Sequence, residues 1–273
     1  MFRSMEPSYQ NIDRTAAILR VLGERNGAGA RLTDVALSAK LSKSTAHRLI
    51  ASLIGAGLVE QDETTRLFHL GFDLFVLGSK AANRYGLVEI ADASLTNLVE
   101  RTADTVYLQA RSGAEAVCLE RRQGAFPIKT LTLSIGDRRP LGIGAGSLAM
   151  LAALTDEDVA LALDANAARL LPYRAFDAST IWELVEATRR NGYAWNDGRV
   201  VPGMHAIGIS VLGTNGAPIG ALSVAAIESR MIGERREHIV GWLRTEVTAL
   251  EARLGRMTER LGDLGMRRLV GAN

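Results

Sequence analysis

At 273 residues the chain is too long for one ordinary domain and fits two, one of them able to bury a sizeable core. Hydrophobic residues make up 47% and aromatic residues only 5%, so that core must be built from Ala, Leu, Val and Ile, and a net charge of +2 does not by itself imply nucleic acid. A single cysteine, Cys118, excludes an internal disulfide and a multi-cysteine zinc site, and with no signal-peptide h-region and no apolar run of membrane-span length the expected compartment is the cytoplasm.

Residues 1–10 read as a disordered lead-in. Asn11 is placed to cap a first helix with Ile12, Ala16, Leu19 and Leu22 on one apolar edge, ended by Asn26-Gly27. Thr33 is placed to cap a second helix, with Leu32 and Leu37 as its staple, and Ser42 a third, with Leu41 and Ala46 as staple and Gly55 or Gly57 as stop. On that third helix Ala46, Leu49, Ile50 and Leu53 recur at i, i+3, i+4, i+7 and share a buried stripe, while Ser44, Arg48 and Ala51 fall opposite, flanked by Lys43, Thr45, His47 and Ser52. The short turn from Lys40 to Ser42 gives helix-turn-helix spacing. Between Asp34 and Glu60 the only formal charges are Lys40, Lys43 and Arg48, so a phosphate would meet no repulsion there.

A solvated helical hairpin would be the ordinary reading of two such helices alone. The next segment shifts it: Leu58-Val59-Glu60, a polar tip from Asp62 to Arg66, then Leu67 to Leu70 make a β-hairpin, and three helices plus a hairpin define a winged helix-turn-helix over residues 1–70. Arg66 at the tip is placed to touch phosphate. His69 reads as a half-buried strand residue, with no ligand partner at metal spacing.

Residues 71–86 read as a helix apolar on more than one side, with Phe72, Leu74, Phe75, Val76 and Leu77, a linker suited to a subunit interface. A second domain, 87–261, follows: a helix from Leu87 to Thr102, a hairpin of Thr105–Ala110 and Ala116–Arg121 about Ser112-Gly113, and a third strand near Ile128–Ile135. Helices fit residues 145–153, 156–167 and 180–191, the last with a capping box at Thr180 and Glu183 and a stop at Gly192. Strands fit Tyr193–Trp195, Ala206–Leu212 and Ile219–Ile227, the last two joined through Asn215-Gly216, and a final helix runs from about Glu234 to Leu261 before a flexible tail, 262–273. Hairpin-linked strands with helices between them predict an α+β fold on an antiparallel sheet.

Pro140 to Ser147, PLGIGAGS, is a glycine-rich loop running into a helix whose free amides would suit a carboxylate or phosphate. Ser147 stands where a dinucleotide fingerprint needs its last glycine, there is no phosphate-binding G-x-x-x-x-G-K-[ST], and Gly208 lies one place too late for a nucleophile elbow before Ser210. Cys118 reads as a buried inert thiol, and His47, His69, His205 and His238 have no metal spacing, so no catalytic residue, metal or cofactor is expected. Asn196 to Arg199 reads as a solvated turn, and Arg230, Arg235 and Arg236 as a solvated charge run.

Five segments then carry a resemblance over nearly the whole chain: LSKSTAHRLIASLIGAGLVEQD, RLFHLGFDLFVLG, DRRPLGIGAGSLAMLAAL, RRNGYAWNDGRVVPGMHAIGISV and GAPIGALSVAA. In this order and spacing the chain resembles the IclR family of bacterial transcriptional regulators. The resemblance implies an N-terminal winged DNA-binding domain, a dimerising linker helix and a C-terminal GAF-like or profilin-like effector domain, working as a homodimer or homotetramer. It implies DNA contacts from Lys43, Ser44, Thr45, His47, Arg48 and Arg66, with Arg48 the guanine reader and Lys43 and Arg66 on the backbone. It also implies an effector pocket lined by Ala145, Gly146, Asn196, Ala206 and Ser223, with apolar walls from Leu131, Leu133 and Met204. Asn196 replaces an acidic residue of the family's small-acid binders, a polar position near Ala206 is apolar here, and Ala225 stands at the place of a second serine, which points to an aromatic or medium-sized carboxylate rather than a two- or three-carbon acid. Lys40 replaces a residue that is often glycine in the turn.

The expected function is a ligand-responsive transcriptional regulator binding a double-stranded operator. Two alternatives stay open: an enzyme holding a phosphorylated or acyl metabolite in the Gly142–Ser147 loop, and a DNA-binding protein whose second domain serves assembly only.

Overall fold

A computed structural model describes residues 10–25 and 27–270, and the chain divides after Gly86 into two units. In the first, α1 (Gln10–Glu24), α2 (Leu32–Ser38) and α3 (Lys43–Gly55) enclose a small core of Ile18, Leu22, Val35, Ile50 and Leu53. An antiparallel hairpin of β1 (Val59–Gln61) and β2 (Phe68–Leu70) closes it, and Ala30 pairs with Phe68 as a third rung. Helix α4 (Phe72–Tyr85) ends the unit with Phe72 and Phe75 in ring contact and largely exposed.

Two of the expected caps are displaced. The first described residue, Gln10, is already helical, and the Asn11 carbonyl accepts from the Thr15 hydroxyl inside α1 instead of starting it. The buried stripe of α1 is Ile18, Val21 and Leu22, with Ile12 exposed. Helix α2 starts after Arg31, so Thr33 lies within its first turn, its hydroxyl directed at Asp34, and Leu37 is 82% exposed and forms no staple. Ser42 does cap α3, accepting from the Thr45 amide at 3.2 Å, and Ala46, Ile50 and Leu53 are buried below it. The expected lead-in falls almost wholly outside the described residues.

The second unit is built on a six-stranded antiparallel sheet of β3 (Thr105–Ser112), β4 (Glu115–Gln123), β5 (Arg138–Pro140), β6 (Ala194–Asp197), β7 (Met204–Leu212) and β8 (Pro218–Ile227), in the order β5-β4-β3-β8-β7-β6. Alternation along the central strands sends Val106, Leu108, Ile207, Val211, Leu222 and Val224 to one face. There they pack with α5 (Leu87–Thr102) and α9 (Gly233–Val270). The other face carries α6 (Ala145–Ala152), which is buried along its whole length, with α7 (Asp156–Leu170) and α8 (Ala178–Asn191) around it.

Three expectations for this unit change. Residues 128–135 form no strand: Ile128, Leu131 and Ile135 are exposed, and side chains of Tyr107, Arg139 and Arg121 take the carbonyls of Thr130, Thr132 and Leu133 in place of a ladder. The neighbour of β4 is β5 instead. Helix α8 is capped by Asp177, whose carboxylate accepts from the Thr180 amide at 2.7 Å, so Thr180 lies in the first turn, while Gly192 makes the expected left-handed stop. The helical backbone of α9 continues past Leu261 to Val270, through most of the expected tail.

Arg230, Arg235 and Arg236 are not a solvated run. The first two pair with Asp104, 1% exposed, at 2.7 and 2.8 Å, and Arg230 also lies over the Phe126 ring, while Arg236 faces Trp195. A buried carboxylate requires such partners, and Asp104 takes two guanidinium groups, one from the short 3-10 turn at Glu228–Arg230 and one from the start of α9.

Candidate functional site

The first unit displays a polar helical face. Lys43, Ser44, His47 and Arg48 are exposed on the first two turns of α3, and Thr45 is half-buried because its hydroxyl and amide both engage the Ser42 cap. The helix N-terminus, its exposed hydroxyls and its two cations therefore share one surface, the arrangement by which a recognition helix meets base edges and phosphates. Arg66 is exposed at the wing, with φ of +60°. The tip is tied by Asp62, whose carboxylate accepts from the amides of Thr64 and Thr65 and from the Thr65 hydroxyl; the Thr65 amide is the chief cause that holds the Asp62 carboxyl below the usual carboxylate range. Lys40 joins α2 to α3 at φ of +54°, a left-handed position that glycine occupies without strain. His69 is half-buried on β2.

The second unit contains a cavity with about 450 Å³ of atom-free space including its mouth. Strand register explains why it exists. Asn196 pairs with Ala206 and Ala206 with Ala225, and in the next row Gly208 pairs with Ser223 and Ser223 with Tyr107. A sheet face of such small residues lets the start of α6 descend onto it: a Cβ on Gly208 would lie 2.6 Å from the Ala145 backbone, and one on Gly146 would lie 2.1 Å from Gln109 Oε1. All five expected pocket residues, Ala145, Gly146, Asn196, Ala206 and Ser223, line this one cavity. Leu133 and Met204 line it too, whereas Leu131 is about half exposed and does not.

Further lining residues escaped sequence reasoning, among them Tyr107, Gln109, Arg139 and His205, whose Nδ1 is buried without a hydrogen-bond partner among the described residues. Tyr107 donates its hydroxyl to the Thr130 carbonyl, and burial raises its phenol above the ordinary value. Gln109 is 3% exposed on β3. Arg139 reaches in from β5 with one guanidinium nitrogen on the Thr132 carbonyl. A glutamine inside the otherwise apolar Val106–Ala110 run was the available signal for Gln109; nothing in sequence separates Arg139 from Arg138, which turns out to Glu115 at 2.9 Å.

Cys118 is buried behind Tyr107 and Leu133, and burial pushes its thiol up to about 11, away from nucleophilic chemistry. Among the described residues no group of three His, Cys, Asp or Glu side chains is placed to hold a metal ion, and no helix is long and apolar enough to cross a membrane.

A winged helix-turn-helix joined in one chain to an antiparallel-sheet domain with an internal cavity defines a class, the one-component regulators that pair a DNA reader with a small-molecule receptor. The sequence model of the C-terminal domain of IclR bacterial transcriptional regulators matches residues 79–252, and that of the IclR helix-turn-helix domain matches residues 11–63. The chain belongs to the IclR family, and it is a DNA-binding transcriptional regulator. The HTH-type transcriptional repressor AllR of Salmonella typhimurium is 27% identical over 227 residues, 83% of each chain, and AllR of Escherichia coli K12 is 26% identical over the same extent. Among solved structures, an IclR regulator from Alicyclobacillus acidocaldarius superposes with a TM-score of 0.75 at 22% identity, covering 90% of this chain and 99% of its own. An IclR homolog from Microbacterium hydrocarbonoxydans, complexed with 4-hydroxybenzoate, gives 0.75 at 21% identity with the same coverage.

Proposed function

We propose that this regulator is controlled by a small organic acid of aromatic or medium size, bound in the cavity between the start of α6 and the floor of β3, β7 and β8, and that it acts as a homo-oligomer. The observation that carries this reading is the cavity itself. Residues from six elements converge on it, its floor is kept low by Ala206, Ser223 and Ala225, and the first amides of α6, at Ala145, Gly146 and Ser147, have no carbonyl partner among the described residues. The ligand seen in the Microbacterium homolog, an aromatic carboxylate, agrees with this class. The exposed apolar side chains of Phe72, Phe75 and Leu77 on α4 support self-association, which would present two recognition helices to one operator. On this reading residues 1–70 bind DNA through Lys43, Ser44, Thr45, His47, Arg48 and Arg66, residues 71–86 link, and the unit from Leu87 receives the effector. Repression, the activity of the AllR relatives, is the expected output.

A thermal-shift series of the whole protein against aromatic, medium-chain and two- or three-carbon acids tests the effector class. Stabilisation by one of the larger acids, growing with its concentration, is expected. Stabilisation by the two- and three-carbon acids alone would remove the proposal.

A further inference from the structure

The cavity has one wall that no ladder holds. Its floor is the sheet and the start of the buried helix α6 lines one side, but Thr130, Thr132 and Leu133 close it from the segment that joins β4 to β5. Both ends of that segment are tied by main chain. At the front the amides of Gly124 and Phe126 donate to the carbonyls of Asp104 and Ala103, and a Cβ on Gly124 would lie 2.1 Å from the Ala103 backbone. At the rear the Gly136 amide donates to the Cys118 carbonyl and the Cys118 amide to the Asp137 carbonyl. From Pro127 to Leu133, by contrast, no main-chain group bonds to another main-chain group among the described residues. That stretch is held from the side. Tyr107, Arg139 and Arg121 donate to the carbonyls of Thr130, Thr132 and Leu133, the Thr105 hydroxyl accepts from the Thr130 amide at 3.3 Å, and the Thr130 hydroxyl donates to the Ala225 carbonyl at 2.9 Å. Ile128 and Leu131 are exposed, and Leu133, 8% exposed, is the one aliphatic side chain of the stretch that packs inward, on Tyr107, Cys118 and Ala225. A segment with one buried apolar anchor and no ladder opens at a lower free energy than the sheet beneath it. The other irregular wall, with Val200 and Val201, keeps main-chain ties from the Met204 amide to the Val201 carbonyl and from the Glu228 amide to the Gly203 carbonyl.

We propose that residues 127–133 are a strap that lifts about these two tied ends to admit the effector and closes over it. The nature of the occupant rests on the pocket reading above; the lifting of the strap does not. Tyr107 and Arg139 line the cavity and also hold strap carbonyls, so filling the cavity and shutting it are coupled. A ligand enclosed by the closed form shifts the strap toward that form by its differential affinity. The chain contains its own reporter, since Cys118 is its one cysteine and is buried behind Leu133, where a thiol reagent can meet it only once the strap has lifted.

The test is the rate at which dithiobis(nitrobenzoate) labels Cys118 in the full chain, across a urea series below the unfolding transition. Lifting of the strap exposes little surface, so the rate is expected to be nearly independent of urea, whereas access by global unfolding would rise with the full slope of the unfolding transition. Tyr107→Phe keeps the ring and removes the donor to the Thr130 carbonyl, and Arg121→Gln removes the donor to the Leu133 carbonyl; each is expected to speed labelling about tenfold. Burial raises the Cys118 thiol and Arg121 partly offsets it, so Arg121→Gln by itself makes the thiol less reactive and any acceleration comes from opening. Arg199→Gln, which frees Asp197 beside the other irregular wall, is expected to leave the rate unchanged. The same measurement is run with 4-hydroxybenzoate, hexanoate and pyruvate, with Tm recorded for each. An acid that raises Tm is expected to slow labelling, about tenfold at ten times its dissociation constant. Labelling with the full unfolding slope, equal rates in Tyr107→Phe, Arg121→Gln and the native chain, or an acid that raises Tm and leaves the rate unchanged overturns the strap and leaves the pocket standing. Urea-independent labelling that the two variants accelerate, with no acid altering Tm or rate, upholds the strap and overturns the effector reading.

Discussion

Lys43, Ser44, Thr45, His47 and Arg48 occupy two turns of one helix, whereas Gln109, Arg139, Gly146, Asn196 and Ser223 reach one cavity from five elements far apart in the chain. The first surface is exposed and its side chains are adjustable; the second is walled by buried groups whose positions depend on strand register. The contrast teaches where damage spreads. A change on α3 alters what is touched while its stability cost stays local, and a change around the cavity alters whether the unit packs at all.

The largest effect is expected at Asp104. Replacing it by alanine leaves Arg230 and Arg235 without their shared carboxylate and should cost about 3–5 kcal/mol in chemical denaturation. Asp34→Ala, which breaks the exposed 3.6 Å contact with Arg25 in the first unit, should cost less than about 1 kcal/mol. Comparable losses from the two would erase the distinction drawn between the units.

Gly208→Ala comes next, because its Cβ would meet main-chain atoms of Ala145 that cannot swing away; a loss of about 2–4 kcal/mol, read as a lower Tm, is expected. An unchanged Tm would mean that α6 does not rest on β7. Arg48→Ala should leave Tm nearly unchanged and weaken operator binding by about 1–3 kcal/mol with relaxed sequence preference, while Arg66→Ala should lower affinity for all sequences alike and reduce the salt slope by about one. Those two, measured by fluorescence anisotropy across a salt series, separate base reading from phosphate contact on the polar face.

Smaller effects probe the framework of that face. Ser42→Ala removes the acceptor for the Thr45 amide and should cost about 1 kcal/mol. Lys40→Gly relieves a left-handed lysine and should stabilise the first unit by up to about 1 kcal/mol. Equilibrium unfolding checks both, and a destabilising Lys40→Gly would show that the turn needs the side chain.

How much of this was legible follows from the same contrast. Helix α3 could be read residue by residue, because its cap, stripe and outer face are all set by neighbours within four positions. Even so, two starts were misplaced: Asp177 holds α8 although Thr180 and Glu183 make a plausible box, and Thr33 is the second residue of a helix that begins after Arg31. The pocket was reachable only through family resemblance, since no local pattern tells that Asn196, Ala206 and Ala225 share a row of the sheet. Arg139 and Gln109 stayed hidden for a related reason. Whether an arginine in Arg138-Arg139 points in or out depends on pairing with β4, and residues 128–135, which alternate like a strand, are held by side-chain donors that sequence does not place.

The most direct test of the account measures the affinity of the whole protein for the DNA upstream of its own gene, at one stated salt concentration, with and without an acid that the thermal-shift series has shown to bind. A regulator that couples the cavity to α3 must change its DNA affinity by about fivefold or more when the acid saturates it. Saturation with the acid and an unchanged dissociation constant for DNA would contradict that coupling.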